Sequence, residues 1–125
     1  MRTRAVTLLV VTSIVVTACD NPGACTLGIE PAIEIVVNDS ITGEAAATDA
    51  VGILIMGSEQ LPMSIVGVDP EGRPNLLAGG GEPGEYDVRV EKSGYETWRR
   101  DGIEVESNNC GLITERFEAR LQPAG

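Results

Sequence analysis

Gly84-Glu85-Tyr86-Asp87-Val88-Arg89-Val90-Glu91 is the stretch that decides the fold. Tyr86, Val88 and Val90 alternate with Asp87, Arg89 and Glu91, the period-two pattern of a strand with one wet and one dry face. Gly94 follows after a short polar break, so the strand has a defined end. The same alternation returns at Leu112–Leu121, where Phe117, Ala119 and Leu121 point one way and Arg116, Glu118 and Arg120 the other.

Outward from these two segments, short apolar or alternating runs recur at Ile33–Val37, Val51–Met56, Leu61–Val68, residues 75–78 and about Gly102–Glu106. Turn signals separate them. Asn38-Asp39-Ser40 with Thr42-Gly43, Gly57–Gln60, Asp69-Pro70-Glu71-Gly72, Gly79-Gly80-Gly81 and Pro83-Gly84 all carry residues that favour chain reversal. No helical period competes with this pattern after Pro31. Seven such segments predict an all-β domain over residues 31–122, a seven-stranded antiparallel two-sheet sandwich.

The first eighteen residues differ in kind. Arg2 and Arg4 are their only charges, and Ala5–Ala18 is an uninterrupted run dominated by apolar residues. A short basic start and a run of this length read as a signal-peptide helix. A spanning helix needs about 20 apolar residues. Val16-Thr17-Ala18-Cys19 closes the run and resembles the lipobox of bacterial lipoproteins. The resemblance implies cleavage before Cys19, a diacylglycerol thioether on its sulfur and a palmitate-type acyl group on the new amino terminus. Cys19 is thus the expected lipidation site, residues 19–30 a lipidated tether rich in turn formers, and the cell envelope the expected location. Asp20 resembles an inner-membrane retention signal of some bacteria, and the choice between membranes stays open.

Cleavage would remove two of nine basic residues and none of nineteen acidic ones, leaving a mature net charge of −12. Such a surface repels nucleic acid and anionic lipid, so the membrane is expected to be reached through the acyl groups. Of three cysteines, one goes to lipid, and export places Cys25 and Cys110 where an even pair reads as a disulfide, a free pair being the alternative. In an up-and-down count of seven strands, the connection before the last strand lies at the same end as the start of the first. A bridge would close a loop of roughly 85 residues and stabilise the fold by about 4–5 kcal/mol.

Gly84-Glu85-Tyr86-Asp87-Val88-Arg89-Val90 with Gly94-Tyr95, preceded by Asp39-Ser40-Ile41-Thr42-Gly43, resembles the signature of carboxypeptidase regulatory-like domains. The resemblance spans roughly residues 31–122. It implies a prealbumin-like (Ig-like) β-sandwich that is not an enzyme and that stabilises, spaces or binds. Gly57–Pro74 carries no distinctive motif of that family.

The chain contains no His, which removes imidazole-based triads and proton shuttles. Gly79-Gly80-Gly81 lacks the Lys and helix of a phosphate loop. No catalytic residue, metal site or cofactor is therefore expected. Asp69 and Glu71 in one turn could in principle hold Ca²⁺ with loop carbonyls, although a solvated turn is the preferred reading. Tyr86 is expected to bury its ring and send its hydroxyl to a loop carbonyl. Tyr95 and Trp98 read as a cap over the open end of the core. With Arg99 and Arg100 they form a candidate interaction loop far from the membrane, for an envelope protein or a glycan. The leading expectation is a lipid-anchored binding or support module. The alternative is a carboxylate-based, metal-dependent carbohydrate-binding protein or enzyme.

Overall fold

The computed structural model describes residues 30–125, so the expected signal helix at 1–18, Cys19, Cys25 and most of the 19–30 tether lie outside the described residues. Among the described residues every element is a strand: β1 (Ile33–Asp39), β2 (Val51–Met56), β3 (Glu59–Pro62), β4 (Ser64–Val68), β5 (Pro74–Gly79), β6 (Gly84–Glu91), β7 (Trp98–Val105), β8 (Ser107–Asn108), β9 (Gly111–Leu112) and β10 (Glu115–Leu121). One sheet has the order β10-β1-β5-β4 and a second the order β3-β2-β6-β7, while β8 and β9 form a separate hairpin. The chain is all-β.

Both four-stranded sheets contribute to a single core. Ile33, Ile35 and Val37 of β1, Leu77 of β5, and Ala119 and Leu121 of β10 meet Leu54 of β2, Tyr86, Val88 and Val90 of β6, and Ile103 and Val105 of β7. No polar or charged residue is buried among the described residues, so apolar burial and backbone pairing hold the layers together. The alternation expected in Tyr86–Glu91 and in Phe117–Leu121 is the burial pattern observed, with Phe117 half-buried and the residues around it following in turn.

Three features depart from the expected pattern. The first is direction. β1 pairs antiparallel with β5 but parallel with β10, from Ile33 opposite Glu115 to Asp39 opposite Leu121, so the pairing is not antiparallel throughout. The second is the segment Leu61–Val68, which is two strands in two sheets. Pro62 ends β3 on one sheet edge, where the missing N–H costs nothing, and Ser64 begins β4 in the other sheet. Met63 makes the crossing, its N–H bonded to the Gly52 carbonyl at 2.9 Å. Its side chain needs two glycines beneath it: a Cβ on Gly52 would lie 2.9 Å from the Met63 sulfur, and one on Gly79 3.2 Å from its Cγ.

The third is β7, expected from about Gly102 but running from Trp98. Gly102 is not a strand start. It is the extra residue of a bulge between the pairs Tyr86–Ile103 and Val88–Arg100, with φ +67° and its N–H held by Asp87 Oδ1 at 2.9 Å. The expected last strand is likewise shortened, because Leu112 belongs to the β8–β9 hairpin and β10 starts at Glu115.

Tyr86 is fully buried, and its hydroxyl donates to the Glu82 carbonyl at 2.6 Å, which pins the loop before β6. Burial pushes its phenol up from the usual tyrosine range. Leu54 is fully buried at the centre of the other strand of this sheet. Leu54→Ala is expected to cost about 2–5 kcal/mol in chemical denaturation, and Tyr86→Phe about 0.5–1.5 kcal/mol for the lost loop bond. Equal effects for the two would mean that the core is not centred here.

Candidate functional site

The parallel register of β1 and β10 gives the domain two distinct ends. At the first end, where β1 begins, Thr114 Oγ1 donates to the Pro31 carbonyl at 2.7 Å and the Glu115 N–H bonds the Ala32 carbonyl at 3.0 Å. The β8–β9 hairpin sits beside these contacts, joined to the chain by the Ile113 N–H on the Glu106 carbonyl. Cys110 lies exposed in its turn, with its N–H on Asn108 Oδ1 at 2.8 Å.

At the opposite end, Asp39 closes β1 and organises the turn that follows. Its Oδ1 accepts the N–H groups of Ile41 at 2.7 Å and Thr42 at 2.9 Å, and Thr42 Oγ1 accepts the N–H of Glu44. Gly43 supplies the positive φ of +74° that completes the reversal. Asp39 Oδ2 takes the hydroxyl of Tyr95 at 2.7 Å, across 56 residues of sequence. The Thr42 N–H, then the Tyr95 hydroxyl and the Ile41 N–H, hold the Asp39 carboxyl below the usual range, against a smaller opposing desolvation. The same hydrogen bond, more than burial, raises the Tyr95 phenol. Lys92 places its ammonium 5.6 Å from the Tyr95 ring and donates to the Ala46 carbonyl at 3.1 Å. The C-terminal residues complete the end: Tyr95 bridges Pro123, Glu96 N–H bonds the Gln122 carbonyl and Ala124 N–H the Gly94 carbonyl.

The four residues of the expected interaction loop do not converge. Tyr95 turns to Asp39, and Tyr95 and Trp98 both pack against the core as a cap would. Trp98, Arg99 and Arg100 belong to strand β7 and not to a loop. Arg99 pairs directly across from Arg89, whose guanidinium is 3.1 Å from Glu91. Arg100 lies over the Phe117 ring at 4.3 Å, covering the seam where edge strands β7 and β10 of the two sheets meet. Asp39, Lys92 and Phe117 were not singled out from the sequence as functional. The signal for Asp39 was present, because its turn and the Gly94-Tyr95 pair were both read as motifs, but nothing in the sequence joined them.

The turn carrying Asp69 is occupied by its own chain. Asp69 Oδ1 accepts the N–H groups of Arg73 at 2.8 Å and Glu71 at 2.9 Å, and Oδ2 meets the Arg73 guanidinium at 3.1 Å. The Arg73 N–H is the main reason its carboxyl lies low. Arg73 also pairs with Glu71 at 2.6 Å, which puts a cation where Ca²⁺ would sit. Among the described residues no group of three or more acidic or Cys side chains is placed to hold a metal ion. No protein-family model matches the chain, and neither does any curated protein.

The Asp39–Tyr95 bond yields a pH prediction. Asp39 is held below its ordinary value near 3.8, so its stabilisation is fully present above that pH and is lost as pH falls through the lower folded value. Tyr95→Phe is expected to lower the thermal midpoint at pH 7 and to differ less from wild type as the pH drops below about 3.8. A midpoint difference independent of pH would show that the two groups are not coupled.

Proposed function

We propose that this chain is a bacterial envelope lipoprotein: a cleaved export signal at residues 1–18, acylated Cys19, a short tether, and a non-catalytic β-sandwich of the prealbumin-like type that binds or supports an envelope partner, protein or glycan. The observation that carries the reading is Val16-Thr17-Ala18-Cys19 at the close of a basic-then-apolar run. Two acyl signals would anchor such a protein stably, whereas one chain alone holds only marginally.

The described geometry is compatible with this arrangement at both ends. The described chain starts beside the hairpin that carries Cys110, and the six residues from Cys25 to Pro31 can span at most about 20 Å, which favours a Cys25–Cys110 bridge at this end. The Asp39–Tyr95 end would then point away from the membrane. The meeting of the Asp39–Gly43 turn with Tyr95 supports the prealbumin-like assignment, because it gives both motifs one structural task. A non-catalytic role is favoured over a carboxylate-based one because the two carboxylates with the strongest local bonding, Asp39 and Asp69, are spent on their own turns.

Cys19→Ser is expected to leave an unacylated chain that moves from the detergent phase to the aqueous phase. Unchanged partitioning would overturn the anchoring proposal. Cys25→Ser is expected to lower the thermal midpoint under oxidising conditions and to leave it unaltered under reducing ones. No difference between the two conditions would mean that the cysteines are not bridged.

A further inference from the structure

Asp101-Gly102 is the one Asp-Gly step in the sequence, which has no Asn-Gly. The fold places it at the bulge of edge strand β7, where the two residues together stand opposite Asp87, between the pairs Tyr86–Ile103 and Val88–Arg100. Both residues are exposed, and the Asp101 carboxylate has no ion-pair or hydrogen-bond partner among the described residues. The Gly102 N–H is engaged: Asp87 Oδ1, on the neighbouring strand, accepts it at 2.9 Å. A carboxyl group and the amide nitrogen that follows it are the two reactants of an intramolecular condensation. Here the first is unoccupied and the second is held.

We infer that Asp101 is a site of spontaneous isoaspartate formation and that Asp87 holds it closed. In the reaction the Gly102 nitrogen attacks Cγ of the protonated Asp101 carboxyl. The N–Cγ bond forms, the amide proton and the carboxyl hydroxyl leave as one water, and a five-membered imide remains. Water then adds back to either imide carbonyl. Opening the N–Cγ bond restores aspartate. Opening the bond between the nitrogen and the main-chain carbonyl carbon routes the backbone through Cβ and Cγ, which is isoaspartate. No atom is gained or lost overall, and nothing is oxidised.

Gly102 makes the attack accessible, because no Cβ shields its nitrogen and its φ of +67° lies where other residues are strained. The bond to Asp87 opposes the attack. It directs the N–H at β6 and keeps the amide plane from rotating toward the Asp101 side chain, and a carboxylate acceptor makes such a bond about twice as strong as a neutral one. Reaction therefore proceeds from the minor state in which this bond is open. Asp39-Ser40, the other aspartate followed by a small residue with a free approach, is closed differently. Its carboxyl is occupied by the N–H groups of Ile41 and Thr42 and by the Tyr95 hydroxyl. Modification at Asp101 has a structural consequence. Arg100, just before the step, covers Phe117 at 4.3 Å, and Ile103, just after it, is buried in the core. An added backbone carbon between them shifts one against the other and loosens the seam between β7 and β10. The inference is independent of the acylation of Cys19.

The test ages the full chain at neutral pH, at a temperature where every variant stays folded. Isoaspartate is read by methyl transfer from S-adenosylmethionine with an isoaspartyl methyltransferase, and its position by fragmenting the digested peptides. Wild type should accumulate isoaspartate at Asp101 slowly when folded and much faster in denaturant. Asp87→Ala should raise the folded rate by about tenfold or more, the factor expected for a lost bond to a charged acceptor. Asp87→Asn keeps an acceptor oxygen and should react more slowly than Asp87→Ala. Leu54→Ala weakens the core without touching Asp87, and its rate should stay closer to wild type than to Asp87→Ala. Equal folded rates for wild type and Asp87→Ala, an Asp87→Asn rate as high as that of Asp87→Ala, an equal acceleration by Leu54→Ala, no acceleration in denaturant, or isoaspartate formed at another aspartate instead would each overturn the proposal.

Discussion

The parallel pairing of β1 with β10 is the constraint on which the rest of the molecule depends. It joins the beginning of the described chain to its end and inserts β1 between β10 and β5, so that Ile33, Ile35 and Val37 face the core from an interior strand. A parallel neighbour cannot be reached by a tight hairpin. All intervening strands, the whole of the second sheet included, therefore lie within the loop that this pairing closes. Long-range pairing of this kind is slow to form, and once formed it ties the two termini of the domain into one cooperative unit.

The same pairing sorts the polar chemistry. Because β1 and β10 run in one direction, the start of β1, the Thr114–Pro31 bond and the Cys110 hairpin share one end. The Asp39 turn, Tyr95, Lys92 and the C-terminal Pro123 share the other. The end with the Asp39 turn is locked by hydrogen bonds that stabilise the turn instead of offering carboxylates to a ligand. The seam between β7 and β10 is covered by Arg100 on Phe117, and the opposite side is crossed by the chain itself at Met63.

Much of this was legible in the residues, and the failures have physical causes. Alternation in Tyr86–Glu91 and Phe117–Leu121 identified faces correctly because a half-buried strand has no other way to separate its side chains. Bulges defeated the same reasoning: Gly102 looks like a strand boundary, yet it lets β7 continue through an extra residue. Pro62-Met63 is an apolar stretch that alternation cannot divide, and only the glycines at 52 and 79, distant in sequence, show why it turns a corner. Trp98-Arg99-Arg100 has the look of a loop because Gly102 resembles the start of the next strand. In the fold they are residues of an edge strand, with Trp98 half-buried and Arg100 lying over Phe117 at the seam. The Asp39–Tyr95 bond was invisible for a different reason, since two local motifs carry no statement about each other until the topology brings them together.

The proposed anchoring through Cys19 and the proposed Cys25–Cys110 bridge are tested together by a mass spectrum of the unreduced, protease-digested protein. The expected spectrum has an amino-terminal peptide beginning at Cys19 and carrying the mass of diacylglycerol and an acyl chain, with Cys25 linked to the peptide that contains Cys110. An amino-terminal peptide that still begins at Met1, or Cys19 found in disulfide linkage to either of the other cysteines, would contradict it.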